Sequence, residues 1–377
     1  MQEVLDRFRH PQLGRRILSQ LIPKLERAGD KLGRKPNLME VCGTHTVSIS
    51  STGIRDLLNS YVNLKSGPGC PVCVTDHSDI DVMLALARQE GVILTTFGDM
   101  IRVPGTGGSL AEEAAEGADI RLVYSTLDAV KLAEENPHKD VIFLGIGFET
   151  TTPTVAAALQ FAEARKLKNF LIYSVHKVVP PVMRVLLTDP EVMIDGFILP
   201  GHVSVITGRK LWDFVAEEYR CPASVVGFEA VDILLGINDI IDQILSGQPK
   251  VTNMYARAVS EEGNPEARRL VDHFFTHGDS SWRGMGIVPG SGMVLKAEFG
   301  KFRAEEKYPV YIPDSKPPRG CACGEVLKGK IWPYECPLFN NGCNPVSPVG
   351  PCMVSSEGAC AAYYRYHRDQ YKKPISM

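Results

Sequence analysis

KDVIFLGIGFETTTPTVAAALQFAEARKLKNFLIYSV, residues 139–175, carries the pattern on which the fold turns. Val141–Leu144 is a short, continuous apolar run that ends in glycines, as a strand buried on both faces does. The segment TPTVAAALQFAEARKL follows with a Thr-Pro start and apolar residues at helical spacing, and NFLIYSV is a second buried strand. Strand, helix and strand in this order make a βαβ unit, whose crossover leaves the two strands parallel.

The same alternation extends in both directions. Upstream, PNLMEV, YVNLKS, GVILTTF and IRLVYS read as strands, separated by helical segments such as DIDVMLALARQEG. Downstream, MIDGFILPG and ASVVGF read as strands and VDILLGINDIIDQIL as a helix. The predicted fold class is α/β, with two similar βαβ-type domains whose parallel sheets flank a cleft. The first spans residues 1–126, including an N-terminal helix, and the second 127–253. From 254 to 377 the composition shifts: a helical piece and RGMGIVPGSGMVL lead into a Cys-, Pro- and Gly-rich segment with little periodicity. This segment reads as a small irregular domain that needs something besides a hydrophobic core to order it.

The 377 residues are 44% hydrophobic, enough for two or three cores, and 41 basic side chains balance 44 acidic ones to a net charge of −3. No run of like charge marks a nucleic-acid stripe or a membrane-binding face, the N-terminus MQEVLDRFRHPQLGRR has no apolar core of signal-peptide length, and no apolar stretch is long enough to span a bilayer. The expected location is the cytoplasm, with proteins or a small ligand as partners. Ten cysteines fit poorly as a disulfide scaffold there, so metal or redox chemistry is the better explanation.

Six of the ten, Cys321, Cys323, Cys336, Cys343, Cys352 and Cys360, crowd the C-terminal segment. Thiolates are the soft ligands of iron–sulfur clusters and structural zinc. One Cys-x-Cys followed by wide, uneven gaps lacks the paired Cys-x-x-Cys knuckles of zinc and favours a [4Fe-4S] cluster. A cluster takes four thiols, and the two left over form a pair able to exchange electrons as dithiol and disulfide. Near the front, SGPGCPVC (66–73) sets Cys70 and Cys73 between glycines and prolines that forbid a regular helix, on what should be a rigid, exposed turn. Such a pair is redox-active or metal-binding, half a zinc knuckle being the plainer alternative. In MEVCGTHTVSIS a strand runs into Cys42, with His45 three positions on. The two can bind a common iron, or the imidazole can lower the thiol pKa, or Cys42 is simply a small core residue.

Further polar loops close the predicted strands: TFGDMIRVPGTGG (96–108), GIGFETTTP (145–153), SVHKVVPP (174–181) and LPGHVSVITG (199–208). They place Asp99, Arg102, Glu149, Thr150, Thr151, His176, Lys177 and His202 at the carboxyl ends of strands, the edge at which open α/β sheets bind ligands. All are expected to face one cleft between the two sheets.

CGTHT (42–46), GPGCPVC (67–73), GFETTTP (147–153), PGHVSVITG (200–208) and the six-cysteine tail with CMVSSEGACAAYY (352–364) together closely resemble the HypD family of [NiFe]-hydrogenase maturation factors, over residues 38 to 364. The resemblance implies a scaffold on which the Fe(CN)2CO group of the hydrogenase active site is assembled in complex with HypC, with cyanide delivered by HypE and HypF and the hydrogenase large subunit served indirectly. It also implies Cys321, Cys336, Cys343 and Cys360 as ligands of a [4Fe-4S] cluster and Cys323 with Cys352 as the adjacent redox pair, although the spacing equally allows Cys323 in place of Cys321. Cys42, with His45 nearby, is then the expected anchor of the transient iron and Cys70/Cys73 the dithiol working on it, while Glu149, His176 and His202 orient the thiols or bound ligands. A general thiol–disulfide oxidoreductase with an iron–sulfur cluster is the rival. Cys42 separates the two, because a dithiol relay has no use for a third thiol beside the pair.

Overall fold

Every residue of Asn37–Glu40 (β1) is buried, so this strand must be covered on both faces and both edges. The computed structural model, which describes residues 11–310, 312, 315–368 and 370, shows how. The outer ends of the first and third expected domains, 1–10 and 371–377, lie outside the described residues. On one edge β1 pairs in parallel with Asn63–Ser66 (β2), Leu38 standing opposite Leu64. A second sheet is built from Val92–Thr96 (β3), Ile120–Leu122 (β4), Asp140–Gly145 (β5) and Phe170–Ser174 (β6), all parallel, in the order β4-β3-β5-β6. The chain then returns to the first sheet through Gly196–Pro200 (β7), which takes the other edge of β1, and adds Ala223–Val226 (β8) and Val251–Asn253 (β9). That sheet has the order β2-β1-β7-β8-β9.

The α/β class with parallel sheets is as the sequence indicates, and β5, the Thr152–Ala164 helix and β6 form the βαβ unit expected over residues 139–175. The division of the chain is different. The boundary expected at 126/127 falls inside the second sheet, between β4 and β5, and the first sheet is assembled from both sides of that insertion. Two sheets of like pattern cannot be told apart by periodicity when one is inserted into the other. The 254–377 region is also less separate than its composition suggests. Its Pro265–Phe274 helix leads into an antiparallel hairpin, Phe275–Trp282 (β10) and Gly286–Leu295 (β11), and Phe274, Phe275, Met293, Leu295 and Phe302 share a core with Phe143 and Ile172 of the second sheet. The cysteine-rich remainder holds only short helices, such as Cys323–Leu327, Pro351–Val354 and Ala359–Tyr366. Its Cys323, Cys352, Met353 and Val354 join the central core that also takes Met39, Leu94, Leu144 and Leu199 from both sheets.

This topology fixes where a ligand can bind. In an open parallel sheet the loops part at the point where strand order reverses, leaving a crevice outside the carboxyl ends. In the first sheet that point lies between β1 and β7, followed by Cys42 and by Gly201-His202; in the second it lies between β3 and β5, followed by Gly98-Asp99 and by Gly147–Thr151. Among the described residues no helix is long and apolar enough to cross a membrane.

The loop after β2 is seated against the loop after β1 by direct backbone contact. The Gly43 N–H donates to the Gly69 carbonyl at 2.9 Å and the Gly67 N–H to the Glu40 carbonyl at 2.8 Å. A Cβ on Gly69 would lie 2.1 Å from the Cys42 nitrogen, so any side chain there forces the loops apart. Gly69→Ala should therefore cost at least the ~1–3 kcal/mol of an overpacked core, read as a lower midpoint of denaturant unfolding. Gly98→Ala is the control. A methyl there meets nothing within 4 Å, and the midpoint should stay put.

Candidate functional site

The two switch points open into one cavity of about 480 Å³. Cys42 and Thr44 follow β1 on its wall, Pro200 and His202 end β7, Gly98 and Asp99 follow β3, and Gly147, Thr150 and Thr151 follow β5. Gly69 and Pro71 bring in the Cys70 loop, and Ser355–Glu357 bring in the cysteine-rich tail.

Cys42 is half-buried and stands at the N-cap of the Gly43–Ser51 helix. Its N–H donates to Glu40 Oε2 at 2.9 Å, and Thr46 Oγ1 donates to the other oxygen of the same carboxylate. Glu40 is thus a buried strand residue whose side chain holds the CGTHT turn in shape; burial raises its pKa to about 7. Burial also pushes the Cys42 thiol up to about 12; the His45 backbone N–H works against that rise, while Glu357 and Glu40 add to it. A thiol this hard to ionise is a poor free nucleophile, but a soft metal cation displaces its proton on binding.

Cys70 and Cys73 form a disulfide across the Pro71–Val74 turn of helix, with Cα atoms 5.2 Å apart. The expected exposed turn is instead buried. Cys70 is 4% and Cys73 0% exposed, because the tail's Pro351–Val354 helix covers them and puts the Pro351 carbonyl 3.9 Å from Cys73 Sγ. The residue after Pro351 is Cys352, whose Sγ lies 2.7 Å from Cys323 Sγ. The backbone carbonyl next to Cys73 Sγ thus belongs to the residue that precedes Cys352 in the chain.

All six tail cysteines line one small chamber, closed by Leu338, Phe339, Gly350 and Met353. A Cβ on Gly350 would sit 2.6 Å from Cys321 Sγ, and the Val349 N–H donates to Cys343 Sγ at 3.3 Å. Apolar walls, an N–H aimed at sulfur and a glycine making room for a thiolate suit an iron–sulfur cluster. Among the described residues no three Cys, His, Asp or Glu side chains converge as a single bound ion requires. The Cys323 thiol is held well below its ordinary pKa by donation from Cys321 and Cys352 and by the Arg283 charge.

The remaining expected residues divide. Asp99, Thr150, Thr151 and His202 line the cleft; His202 stacks on Phe228 with centroids 3.8 Å apart. His45 points elsewhere: its Nε2 meets the Gly227 carbonyl at 2.9 Å, its ring stacks on the same Phe228, and burial lowers its pKa to about 4. It reaches Cys42 through its backbone N–H, so the imidazole is neither a thiol activator nor part of the cleft wall. Glu149 turns its back on the cleft and lines a second cavity of about 310 Å³. There it accepts from the Val179 N–H at 2.8 Å, and burial raises it to about 7. His176 and Lys177 are buried under the hairpin, His176 hydrogen-bonded with Ser174 and Lys177 donating to Ser280 Oγ at 2.7 Å. Arg102 reaches the Pro345 carbonyl in the tail.

Two site residues escape a motif scan. Glu40 looks like a strand position, and only a carboxylate inside an otherwise buried strand marks it. Glu357 accepts from Thr44 Oγ1 at 2.7 Å, while Ser355 Oγ donates to Asp99 Oδ2 at 3.0 Å. The tail segment between Cys352 and Cys360 is thereby tied to both walls of the cleft.

A family model described as HypD, hydrogenase formation hypA family, matches residues 16–367. The hydrogenase maturation factor HypD of Escherichia coli (strain K12) is 42% identical over 370 residues, covering 97% of this chain and 98% of the relative. The HypD proteins of Rhodobacter capsulatus (42% over 364 residues, 95% of this chain and 97% of the relative) and Cupriavidus necator (41% over 375 residues, 97% of each) are similar to the same extent. With the cleft, the Cys42 turn and the six-thiol chamber in the positions that its motifs mark, the chain belongs to the HypD family of hydrogenase maturation factors.

Proposed function

We propose that this chain is a cytoplasmic, redox-active scaffold on which the Fe(CN)2CO group of the [NiFe]-hydrogenase active site is put together in complex with HypC, cyanide arriving from HypE and HypF and the product going on toward the hydrogenase large subunit. The observation that carries this is the position of Cys42: a free thiol on the wall of the cleft where both switch points meet, backed by a disulfide in the neighbouring loop. Iron(II) bearing cyanide and CO is a soft cargo, and thiolate is the appropriate protein anchor for it. His202, Asp99, Thr150 and Thr151 supply polar contacts around the cargo. His45, stacked behind Phe228, braces the wall.

Cys321, Cys336, Cys343 and Cys360 would hold a [4Fe-4S] cluster, which when bound supplies one-electron reducing equivalents. The chain's own part is thiol exchange. Cys323 and Cys352 as dithiol give two electrons and two protons to the Cys70–Cys73 disulfide and become a disulfide themselves, the covering Pro351–Val354 helix keeping water from the transfer. A general thiol–disulfide oxidoreductase would use the same four sulfurs, but it leaves the Cys42 thiol and the cleft without work.

Infrared spectra of the anaerobic complex with HypC should show cyanide and CO stretches. Cys42→Ser should remove them, with the one iron that carries them, while fold, the cluster's iron and the Cys70–Cys73 redox chemistry persist, because a hydroxyl is a hard, poorly ionised substitute for thiolate. His45→Ala should weaken the bands by about 10- to 100-fold in occupancy at most, as changes behind a ligand do. Undiminished bands in Cys42→Ser would exclude Cys42 as the anchor. Metal analysis should find about four irons per chain, as one cubane requires, and Cys336→Ala should lose them together with part of the unfolding transition. Zinc in place of iron, or a full iron complement in Cys336→Ala, would refute the ligand set.

A further inference from the structure

Away from the cleft, and sharing no residue with it, a groove of about 330 Å³ leads from the surface to Cys323. Its walls are the Asp76–Ser78 turn, Arg283-Gly284, Pro317-Pro318 and the 321–325 segment. The chain from Pro71 to Ser78 thus runs from cleft to groove with Cys73 between them. The Cys323–Cys352 pair is placed to communicate with the outside here and with the Cys70–Cys73 disulfide on its other side.

The charges in the groove are unevenly satisfied. Its two acids are already engaged: Asp76 accepts from the Ser78 N–H at 3.1 Å and Oγ at 2.8 Å, and Glu325 is paired with Lys328 at 2.5 Å. Its basic groups are not. Arg283 is only 6% exposed and gives its Nε to the Thr75 carbonyl at 3.0 Å, yet its Nη2 has no partner. Among the described residues no carboxylate forms an ion pair with it. His77, 4% exposed, meets Thr106 Oγ1 through Nε2, while its Nδ1 is likewise without a partner. In the reduced pair the Arg283 charge faces the Cys323 thiolate; once the pair is a disulfide that counter-charge is gone, and a buried guanidinium is costly unless something anionic completes it. Gly284 and Gly324 approach so closely that a Cβ on Gly284 would be 2.3 Å from the Gly324 Cα, and this packing sets Arg283 beside Cys323.

We propose that this groove is the port at which a small, carboxylate-bearing thiol binds and reduces the Cys323–Cys352 pair. The inference rests on that pair acting as the relay proposed above. Once the pair has given its electrons to Cys70–Cys73, it is a disulfide. The incoming thiolate attacks Cys323 Sγ, the one of the pair's two sulfurs whose residue lines the groove, forming a mixed disulfide; the Cys323–Cys352 bond breaks and Cys352 leaves as a thiolate that takes up a proton. A second molecule of the thiol attacks the mixed disulfide, leaves as the small disulfide and returns Cys323 as a thiol. Two electrons and two protons enter per cycle. Arg283 positions the carboxylate, and the groove volume admits a molecule of tripeptide size but not a folded domain.

The test uses full-length anaerobic protein with the pair oxidised. Reduction is followed by alkylation and peptide mass spectrometry, with mercaptosuccinate, 2-mercaptoethanol and cysteamine as anionic, neutral and cationic probes. Each rate is normalised to that thiol's rate with a small model disulfide. Mercaptosuccinate should lead, and Arg283→Met should cut its rate by about tenfold, the loss of one charge-assisted contact, while leaving 2-mercaptoethanol within about twofold. Arg283→Lys should recover part of the loss. Should Arg283→Met fail to fold, His77→Gln serves in its place, with a smaller loss confined to the anionic probe. Equal normalised rates in the unsubstituted protein, or reduction by a protein dithiol alone, would overturn the port while leaving the relay standing. A change of iron content in Arg283→Met with the order of probes unaltered would assign Arg283 to balancing the cluster's charge and also overturn it. If Cys323 and Cys352 form no disulfide at any potential, relay and port fall together.

Discussion

The backbone hydrogen bond from Gly43 to Gly69, which packs Gly69 against Cys42, is the constraint on which the rest of the site depends. Two loops, each following a parallel strand of the same sheet, touch through main-chain atoms at 2.9 Å with no side chain between them. This places three sulfurs, those of Cys42, Cys70 and Cys73, on adjoining turns at the sheet's switch point. It also leaves the back of the Cys70–Cys73 turn free for the tail's Pro351–Val354 helix. Cleft, disulfide and tail thiols thereby lie one behind another, with the tail's Ser355–Glu357 reaching round to the cleft.

Burial gives the layers their chemistry. Cys42 lines the cleft, yet burial makes its thiol hard to ionise. Cys73 is fully enclosed, so a reductant in solution has no direct access to its sulfur. The Ser355–Glu357 strap, bonded to Thr44 on one wall and Asp99 on the other, joins the segment carrying Cys352 and Cys360 to the cleft. The order of the tail and the shape of the cleft are coupled by construction.

Much of this was legible in the sequence, and what was not has physical reasons. The strands announce themselves because parallel strands buried on both faces have no polar positions, and their loops then locate Cys42, Asp99, Thr150 and His202 at the right edge. The interleaving of the two sheets left no local trace, since a βαβ unit looks the same whichever sheet it joins. Motif position told which loop carried Glu149, His45 and His176 but not which way each side chain turned. Glu149 went to the far side of its loop to cap the Val179 helix, and His45 to the Gly227 carbonyl. The burial of Cys70 and Cys73 depends on a tail helix some 280 residues away in sequence, a contact that no local pattern encodes. Glu40 and Glu357 act through neighbours rather than through motifs, and only the fold reveals them.

The central claim is that the front disulfide is reached through the rear pair. It is tested most directly by a redox titration with thiol trapping, comparing the unsubstituted protein with Cys352→Ser. In the unsubstituted protein the Cys70–Cys73 disulfide should open over the same range of potential, and on the same timescale, as Cys323–Cys352. In Cys352→Ser it should persist under reductant, because Cys73 is enclosed and its neighbouring donor is gone. Equal rates of opening in the two proteins would contradict the relay and show that the front pair takes its electrons by another route.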